Sequence, residues 1–425
     1  MTVLNKANHA PPKVCMFVNS FPLVSETFLL NQMAAMLRDG IDLKIFSFSR
    51  GNFVNIHPIV EEYGLLDRCH FVYENVDGEK KSLRETISCI ANPGFLTPLG
   101  LKTLFALIAS PPNGWSRMSC LRVLSQMLAD DGCDFIHCQF GDLGVRLLEL
   151  KQRYPAVKGE LVTAFRGHDL TQTARFTKSF YAELAQHGSI FLPVSKHLGG
   201  LLVDYGFPQD KIHVVRSGLK HQDFTFSPKA TTTGDNLQIL SVGRLVEMKG
   251  MEYGIRSIVD IRAEFPQVRY KIAGDGPLLE HLNNLVEELD LHAHVELLGA
   301  QSHDKIVSLM QEADFLLTPS VTAENGEKEG IPNVVKEAMA TGLPVIATQH
   351  SGIPELIEHD VTGWLVPERD VGAICDTLFK IIEAPSATTE VAKAARQHIE
   401  EFYALDVVHE ALKDAYSHAM DSPAA

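Results

Sequence analysis

The sequence predicts an α/β protein with two doubly wound domains, each built on a parallel sheet. The chain has 425 residues, which is more than one hydrophobic core usually holds, so two domains are expected. A strand–helix–strand order begins at residue 13 and begins again at Leu237, and this order makes a parallel sheet. A polar spacer at residues 227–236 precedes the second start and marks it as a new unit.

The first unit opens with an apolar strand at residues 13–18, a helix that ends near Arg38 and a second strand at residues 41–47. Ser25 is a suitable N-cap for this helix, and Glu26 suits its positive end. Helix capping alone explains both residues, so their polar side chains do not by themselves indicate a ligand.

A later strand of the first unit, at residues 161–165, runs into Gly167-His168-Asp169. A single histidine more often serves as a structural hydrogen-bonding group than as a ligand contact. The carboxyl ends of parallel strands are nevertheless where ligands collect, so His168 is a candidate site residue.

The second unit presents two cations soon after its first strand, residues 237–243. Arg244 and Lys249 are predicted to lie at the mouth of a cleft, where arginine can bind a phosphate with two N–H groups and lysine acts as a point charge. Gly274 and Gly276 follow the next strand, but a third glycine is missing from the dinucleotide pattern. This pair therefore predicts close packing beside a nucleotide rather than binding of NAD.

The most informative stretch lies between two strands near residues 313–317 and 344–347. Pro332 and Gly342 suit the first position and the end of a short helix at about residues 332–341, whose N-terminus should bind an anion near Gly330 and Ile331. Glu329 precedes this helix and Glu337 lies within it. From Pro332 to Glu337 the helix rises roughly 7–8 Å, about the reach of a diphosphate between two sugars, which predicts a nucleotide-sugar site.

Residues 329–347 resemble, almost position for position, the signature of the large retaining glycosyltransferase family 4. The resemblance implies the GT-B fold, in which two Rossmann-like domains face each other across a cleft. Residues 1–215 would then form the acceptor-binding domain and residues 216–388 the nucleotide-sugar domain, with a C-terminal helix at about residues 389–425 packing back on the first domain.

The resemblance also implies roles for individual residues. Glu329 would contact the donor sugar, Glu337 the ribose, and His168 would close the site from the first domain, while Arg244 and Lys249 would stabilise the diphosphate. The other donor-binding positions would be Gly243, Gly330, Ile331, Pro332 and Asn333.

The first loop carries Phe-Pro-Leu-Val-Ser-Glu-Thr-Phe, which is similar to a subgroup that builds exopolysaccharide and colanic-acid-type surface polysaccharides. Many members of the family have a Gly-Gly pair in this loop, and this chain lacks it. Ser25 and Glu26 are therefore expected to serve near the donor or acceptor instead. His137 matches the family's histidine-containing segment at the acceptor cleft, so it is a third candidate on the acceptor side.

The function implied by the resemblance is transfer of a hexose, with retention, from a UDP- or GDP-sugar to a hydroxyl group of a lipid-linked oligosaccharide. The leaving diphosphate would take the acceptor proton, and no cofactor is expected. No Asp-x-Asp pair lies in a suitable loop, so no metal is expected either. Two alternatives stay open: a nucleotide-sugar epimerase of the same fold, and a non-catalytic subunit that binds sugar nucleotides.

Composition and charge limit the partners. The net charge of −15 arises in the second half, because residues 1–210 carry 20 basic and 20 acidic side chains and residues 211–425 carry 18 and 33. Binding to nucleic acid is not expected, whereas the neutral first half can approach an anionic membrane. The protein is expected to be cytoplasmic, with peripheral contact at the inner face of the membrane. Residues 99–109 could form a helix that touches lipid headgroups, although a core or interdomain helix is the preferred interpretation.

Seven scattered cysteines indicate reduced core residues rather than disulfides. Cys133, His137 and Cys138 have no second ligand pair at zinc-like spacing, so structural roles are predicted for them.

Overall fold

The computed structural model describes residues 11–22, 27–51, 53, 56–73, 83–128, 132–228 and 236–421. Ser25 and Glu26 lie outside the described residues, so the expectations for them stay predictions.

Each half of the chain forms a six-stranded sheet. The first sheet contains β1 (Lys13–Phe21), β2 (Asp42–Arg50), β3 (Cys69–Phe71), β4 (Phe135–Cys138), β5 (Glu160–Phe165) and β6 (Ile190–Pro193). The second contains β7 (Gln238–Val242), β8 (Arg269–Ala273), β9 (Val295–Gly299), β10 (Phe315–Thr318), β11 (Val345–Thr348) and β12 (Trp364–Val366).

Helices connect the strands. Those of the first half are α1 (Thr27–Arg38), α2 (Pro58–Glu62), α3 (Leu83–Ile90), α4 (Pro98–Ala109), α5 (Arg117–Leu128), α6 (Gly141–Arg153), α7 (His168–Thr171), α8 (Lys178–His187) and α9 (Lys196–Asp204). Those that follow are α10 (Met251–Glu264), α11 (Leu279–Glu288), α12 (His303–Glu312), α13 (Asn333–Thr341), α14 (Val371–Glu383), α15 (Pro385–Phe402) and α16 (Leu405–Asp421).

Both sheets are parallel and doubly wound, as predicted. The strand orders are β3-β2-β1-β4-β5-β6 and β12-β11-β10-β7-β8-β9. The order therefore reverses between β1 and β4 in one sheet and between β7 and β10 in the other. Ligands of doubly wound sheets bind outside the carboxyl ends of the strands at such a reversal, so the loops after β7 and β10 are brought together there.

The central strands are buried because helices cover both faces of each sheet. All four residues of β4 and all four of β10 are buried, which is the pattern expected for parallel strands packed on both sides. The sheets are therefore rigid supports for the loops at their carboxyl ends.

The chain crosses between the domains twice, and the two crossings lie side by side. The amide of Leu219 donates to the carbonyl of Tyr403 at 2.8 Å, and the amide of Leu405 donates to the carbonyl of Leu219 at 3.0 Å. Lys336 Nζ of α13 donates to the carbonyl and the hydroxyl of Ser217 at 2.6 and 2.7 Å, which ties the first crossing to the second domain.

The predicted C-terminal helix at 389–425 is two helices with different partners. α15 packs against α13 and α14, so it belongs to the second domain. α16 packs on the first domain, where the ring of Tyr416 stacks on that of Phe135 with 4.2 Å between centroids. The return to the first domain therefore begins near Leu405 and not near residue 389, because Ala395 and Ile399 are buried in the second domain's core.

Candidate functional site

The helix that the sequence singled out is α13, and it begins one residue later than predicted. Pro332 is extended, with φ −70° and ψ 124°, so it caps the helix from outside. The helix ends at Gly342, whose φ of 84° favours glycine. In the part of the chain that the structure describes, the amides of Ile331 and Asn333 make no hydrogen bond. They are therefore free to donate to an anion at this helix end.

A nearly buried ion pair lies at the start of this helix. Lys249 Nζ, from the loop after β7, contacts Glu329 Oε2, from the loop after β10, and each side chain is only 12% exposed. Gly243 lies against this lysine, because a Cβ there would be 3.3 Å from Lys249 Cδ and Cε. The topology thus brings Gly243, Lys249 and Glu329 together at the reversal in strand order.

Two residues that the sequence did not indicate, His350 and Glu368, hold the backbone of Glu329 in place. The Glu329 amide donates to His350 Nε2 at 3.1 Å, and His350 Nδ1 lies 2.6 Å from Glu368 Oε1. An amide can only donate, so Nε2 accepts and Nδ1 carries the proton that bonds Glu368. His350 lies two residues after the end of β11, so its place at a strand's carboxyl end was a signal that could have identified it.

Glu368 is well suited to orient this histidine. Burial raises the pKa of its carboxyl group. The hydrogen bonds that the group accepts from His350 and from the amide and hydroxyl of Thr322 lower the pKa by a larger amount. The net pKa lies below the usual value, so Glu368 stays charged and keeps the His350 ring in place.

Glu337 and Arg244, the other predicted contacts of the second domain, have side chains without hydrogen bonds to described residues. Glu337 is 9% exposed, and burial raises the pKa of its carboxyl group. Arg244 is exposed to solvent. The adjacent Lys336 is fully buried, which lowers the pKa of its ammonium group to about 7. The side chains of Glu337 and Arg244 are therefore available to a ligand, whereas the Lys336 ammonium group is already hydrogen-bonded to Ser217 at the first crossing between the domains.

The glycine loop after β8 packs against the same region. A Cβ at Gly274 would lie 1.8 Å from the carbonyl oxygen of Gly243, so only glycine fits this approach. A Cβ at Gly276 would come within 2.6 Å of the Leu245 carbonyl oxygen. The pair thus allows close packing beside the loop that carries Arg244, as the sequence predicted.

The first domain contributes the loop that carries His168. Asp169 is fully buried, and its carboxylate accepts the amides of Gly141, Arg166 and Gly167 at 3.0, 3.0 and 2.9 Å. His168 is half-buried beside Phe140, with ring centroids 5.2 Å apart. Asp169 therefore shapes the loop, and His168 is the member of the Gly-His-Asp triplet that can reach a ligand.

This loop touches the start of α13 directly. A Cβ at Gly167 would lie 3.3 Å from the amide nitrogen of Gly330, and the amide of Lys328 donates to Thr171 Oγ1 at 3.2 Å. Gly167 has φ 132°, which a residue with a side chain rarely adopts. The predicted residues Gly330 and His168 thus lie on facing walls of one cleft.

A second contact joins the domains at α9. The Glu355 carboxylate accepts the amides of Lys196 and His197 at 2.8 and 2.7 Å, so a residue of the second domain caps a helix of the first. Such a contact is favoured by the positive end of the helix and fixes how the two walls meet.

His137 does not line the acceptor side, contrary to the expectation. It is fully buried, and its Nδ1 lies 2.6 Å from the hydroxyl of Tyr416 in α16. Burial lowers the pKa of His137 to about 3, so its ring is neutral. An acceptor could not reach it, because the ring is enclosed between the first sheet and the last helix.

Within the described ranges, no group of three or more His, Cys, Asp or Glu residues is placed to hold a metal ion. Among the same residues, no helix is both long enough and apolar enough to cross a bilayer. The seven cysteines are unpaired, and five of them are buried.

Comparison with known proteins gives consistent matches. A family model described as glycosyl transferases group 1 matches residues 223–398. The putative colanic acid biosynthesis glycosyltransferase WcaL of Escherichia coli (strain K12) is 33% identical over 409 residues, which cover 94% of this chain and 98% of the relative. The amylovoran biosynthesis glycosyltransferase AmsK of Erwinia amylovora is 33% identical over 394 residues, with 91% and 95% covered.

Solved structures share the fold at lower identity. HepE of Anabaena, in complex with UDP and glucose, aligns with a TM-score of 0.70 and 19% identity over 96% of this chain and 99% of that one. Sucrose-phosphate synthase from Thermosynechococcus elongatus aligns with a TM-score of 0.70 and 16% identity, with the same coverage.

Proposed function

The chain belongs to the group 1 glycosyltransferases of family 4 and has their GT-B fold, and from this premise we propose its reaction. It moves a hexose, with retention, from a UDP- or GDP-sugar to a hydroxyl group of a lipid-linked oligosaccharide in exopolysaccharide synthesis. The names of its relatives support the pathway class, and the UDP bound to HepE supports a nucleotide-sugar donor.

The observation that carries the proposal is the contact between Lys249 and Glu329 at the N-terminus of α13. Its two charges suit the two parts of an activated sugar. The free amides of Ile331 and Asn333 and the ammonium of Lys249 would bind the diphosphate, while the Glu329 carboxylate would accept hydrogen bonds from hydroxyl groups of the sugar. The buried Glu337 carboxylate would accept from the ribose.

In the proposed reaction, the bond between the anomeric carbon and the diphosphate oxygen breaks as the acceptor oxygen bonds to the same carbon. The acceptor proton passes to an oxygen of the leaving diphosphate. Arg244 and Lys249 stabilise the negative charge that develops there, and such electrostatic stabilisation is usually the largest single contribution to catalysis. His168, on the facing wall, closes the site against water.

The proposal includes independence from metals, because the two cations would supply the charge that a metal supplies in other transferases. It also includes an acceptor attached to lipid, which would place the first domain near the inner face of the cytoplasmic membrane. Independence from metals rests on the family resemblance. The lipid-linked acceptor at the membrane rests on the resemblance and on the charge distribution between the two halves.

The test begins with the donor. The purified protein is screened for thermal stabilisation by UDP-, GDP- and ADP-sugars, since a ligand that binds the folded state raises the melting temperature. The best donor is then incubated with a lipid-linked acceptor extract, with and without EDTA, and both the released nucleoside diphosphate and the anomeric configuration of the product are measured.

We expect release of UDP or GDP that depends on the acceptor, survives EDTA and gives the donor's anomeric configuration in the product. An epimerase would interconvert the sugar or eliminate the diphosphate without any acceptor. A non-catalytic subunit would be stabilised by the donor and release nothing. Either result would refute the proposed transfer.

A further inference from the structure

The helix α4 is apolar on two sides although it lies at the surface. Gly100, Thr103 and Leu107 face the core and are buried. Leu101, Phe105 and Ile108 lie four and three residues apart, so they share the opposite, exposed side. A helix that is hydrophobic all round is normally enclosed by protein or by lipid, and α4 is only half covered.

Further exposed apolar side chains lie in α3 and in the segment just before α4. We define the α3–α4 face by its exposed apolar side chains, which are Ile87, Ile90, Leu96, Leu99, Leu101, Phe105 and Ile108. Phe105 is 72% exposed, Leu96 is 70% and Ile108 is 60%. Within the described residues, this face holds seven of the fourteen large exposed apolar side chains, all between residues 87 and 108. Single exposed apolar residues need no explanation, but such a concentration marks an interaction surface.

The charge of the same segment differs from that of the rest of the chain. No aspartate or glutamate occurs between residues 86 and 129, although the chain has 53 acidic side chains among 425 residues. The segment carries Lys102, Arg117 and Arg122, and the first two are exposed. An apolar face on a segment that carries basic side chains and, from residue 86 to residue 129, no acidic ones is complementary to an anionic bilayer surface, which attracts basic side chains and accepts apolar ones.

The turn after α4 lies beside the carboxyl ends of β2 and β3, which form part of the cleft-facing end of the first sheet. The turn after α4 is fixed by Trp115, whose ring lies 5.3 Å from that of Phe48 near the carboxyl end of β2. Tyr73, just after β3, donates its hydroxyl to the carbonyl of Gly114 at 3.0 Å. A surface held against this face would therefore lie next to the side of the cleft where the proposed acceptor enters.

We propose that the α3–α4 face docks the first domain onto an anionic lipid bilayer, with Phe105, Ile108 and Leu96 inserted among the lipids and Lys102 and Arg117 at the headgroups. The inference rests on the proposed function, since a lipid-linked acceptor would be presented at that surface. It also explains why the preferred interpretation of residues 99–109 as a core helix holds for only one side of α4.

Vesicle flotation tests this proposal with the whole chain. Vesicles of phosphatidylcholine with about one third phosphatidylglycerol are compared with vesicles of phosphatidylcholine alone. We expect binding at least about tenfold tighter to the anionic vesicles, weakened by salt because the charge contribution is screened. The double variant Phe105→Ser/Ile108→Ser should bind at least about tenfold more weakly, because two apolar insertions are lost.

Two further variants separate the electrostatic contribution to binding from the contribution of the apolar face. Lys102→Glu should weaken binding to anionic vesicles and leave the residual binding to neutral ones unchanged. Val203→Ser/Val361→Ser, at two exposed apolar positions outside the face, is the matched control and should bind as the wild type does.

Two results would overturn the inference. One is equal flotation of the wild type and Phe105→Ser/Ile108→Ser, and the other is no flotation of the wild type. A concentration-dependent dimer that this double variant dissociates, without vesicle binding, would assign the face to a second copy instead. Thermal stabilisation by UDP- and GDP-sugars is measured in parallel without vesicles. If neither donor stabilises the wild type, the proposed function is contradicted. If the stabilisation is kept in all variants, a loss of flotation can be assigned to docking alone.

Discussion

The two walls of the cleft use their polar residues differently. On the second-domain wall, the side chains of Glu337 and Arg244 make no hydrogen bonds to described residues, and Lys249 and Glu329 contact each other at the cleft. In the first domain, the buried side chains of Asp169 and His137 are occupied by the protein itself, since Asp169 binds three amides and His137 binds Tyr416. Side chains that bind a ligand need hydrogen-bonding groups that are not already taken up by the protein. Buried polar side chains that support the fold have their hydrogen bonds satisfied within the protein.

This contrast predicts opposite consequences of substitution. Changes on the second-domain wall should alter turnover or donor affinity and leave stability nearly intact. Changes on the first-domain wall, His168 excepted, should alter stability first.

The largest effect is expected for Lys249→Ala. The variant removes a fixed positive charge from the leaving diphosphate, so kcat should fall by about 100-fold or more, as when one donor of an oxyanion site is removed. Steady-state release of nucleoside diphosphate measures it. Lys271→Ala is the matched control, because Lys271 forms a similar pair with Glu312 away from the cleft. Near-normal turnover of Lys249→Ala would exclude the cation role.

Asp169→Asn should lower the free energy of unfolding by about 1–3 kcal/mol. An amide cannot accept the three backbone N–H groups that the buried carboxylate accepts, so at least one is left without its partner. Urea denaturation followed by circular dichroism measures the change, and the exposed Asp204→Asn serves as control. Unchanged stability would mean that the loop keeps its shape without the carboxylate.

Glu337→Gln should raise the donor KM by about tenfold with kcat changed less than about twofold. The variant exchanges a charged acceptor for a neutral one on a group remote from the broken bond, and about 1.4 kcal/mol corresponds to that factor. The exposed Glu288→Gln is a matched control on another helix of the same domain. A fall in kcat with unchanged KM would place Glu337 at the reacting sugar instead of the ribose.

A pH dependence of stability is expected from His137. Its pKa is about 3 in the folded protein, below an unfolded value of about 6.5, so in this window the unfolded chain binds a proton that the folded one does not. Stability should therefore be lost as the pH falls from about 6.5 towards 3, by up to ~1.4 kcal/mol per pH unit from this residue.

His137→Gln removes that contribution, so its urea midpoint should fall less steeply than that of the wild type between about pH 6 and pH 4.5. Equal slopes in the two proteins would show that the histidine titrates freely and is not held neutral. The substitution keeps a group that can hydrogen-bond Tyr416, so a comparison of slopes is more informative than one of absolute stabilities.

The second-domain wall could be predicted from the sequence because its signals are local. Pro332, Gly342 and the two glutamates lie within fourteen residues, and the helix between them follows from its own end residues. Strand order then places the loop of Lys249 beside that helix, which is a general property of doubly wound sheets.

The first-domain wall could not be predicted in the same way. His137 has the residue type and strand position of a ligand contact, but Tyr416, 279 residues away, covers it. Whether a polar residue at a strand end is open or covered depends on such distant partners, and no local pattern records them. The same holds for Glu355, which caps a helix 159 residues before it.

The placement of α16 has a consequence for how the protein is made. During translation the first sheet is synthesised long before Tyr416, so until α16 emerges Phe135 stays uncovered and His137 lacks its hydroxyl partner. The amino-terminal half therefore completes its core only after the carboxyl-terminal half has emerged. Nascent chains stalled before residue 405 should expose this surface to chaperones, even though every strand of both sheets has already been synthesised.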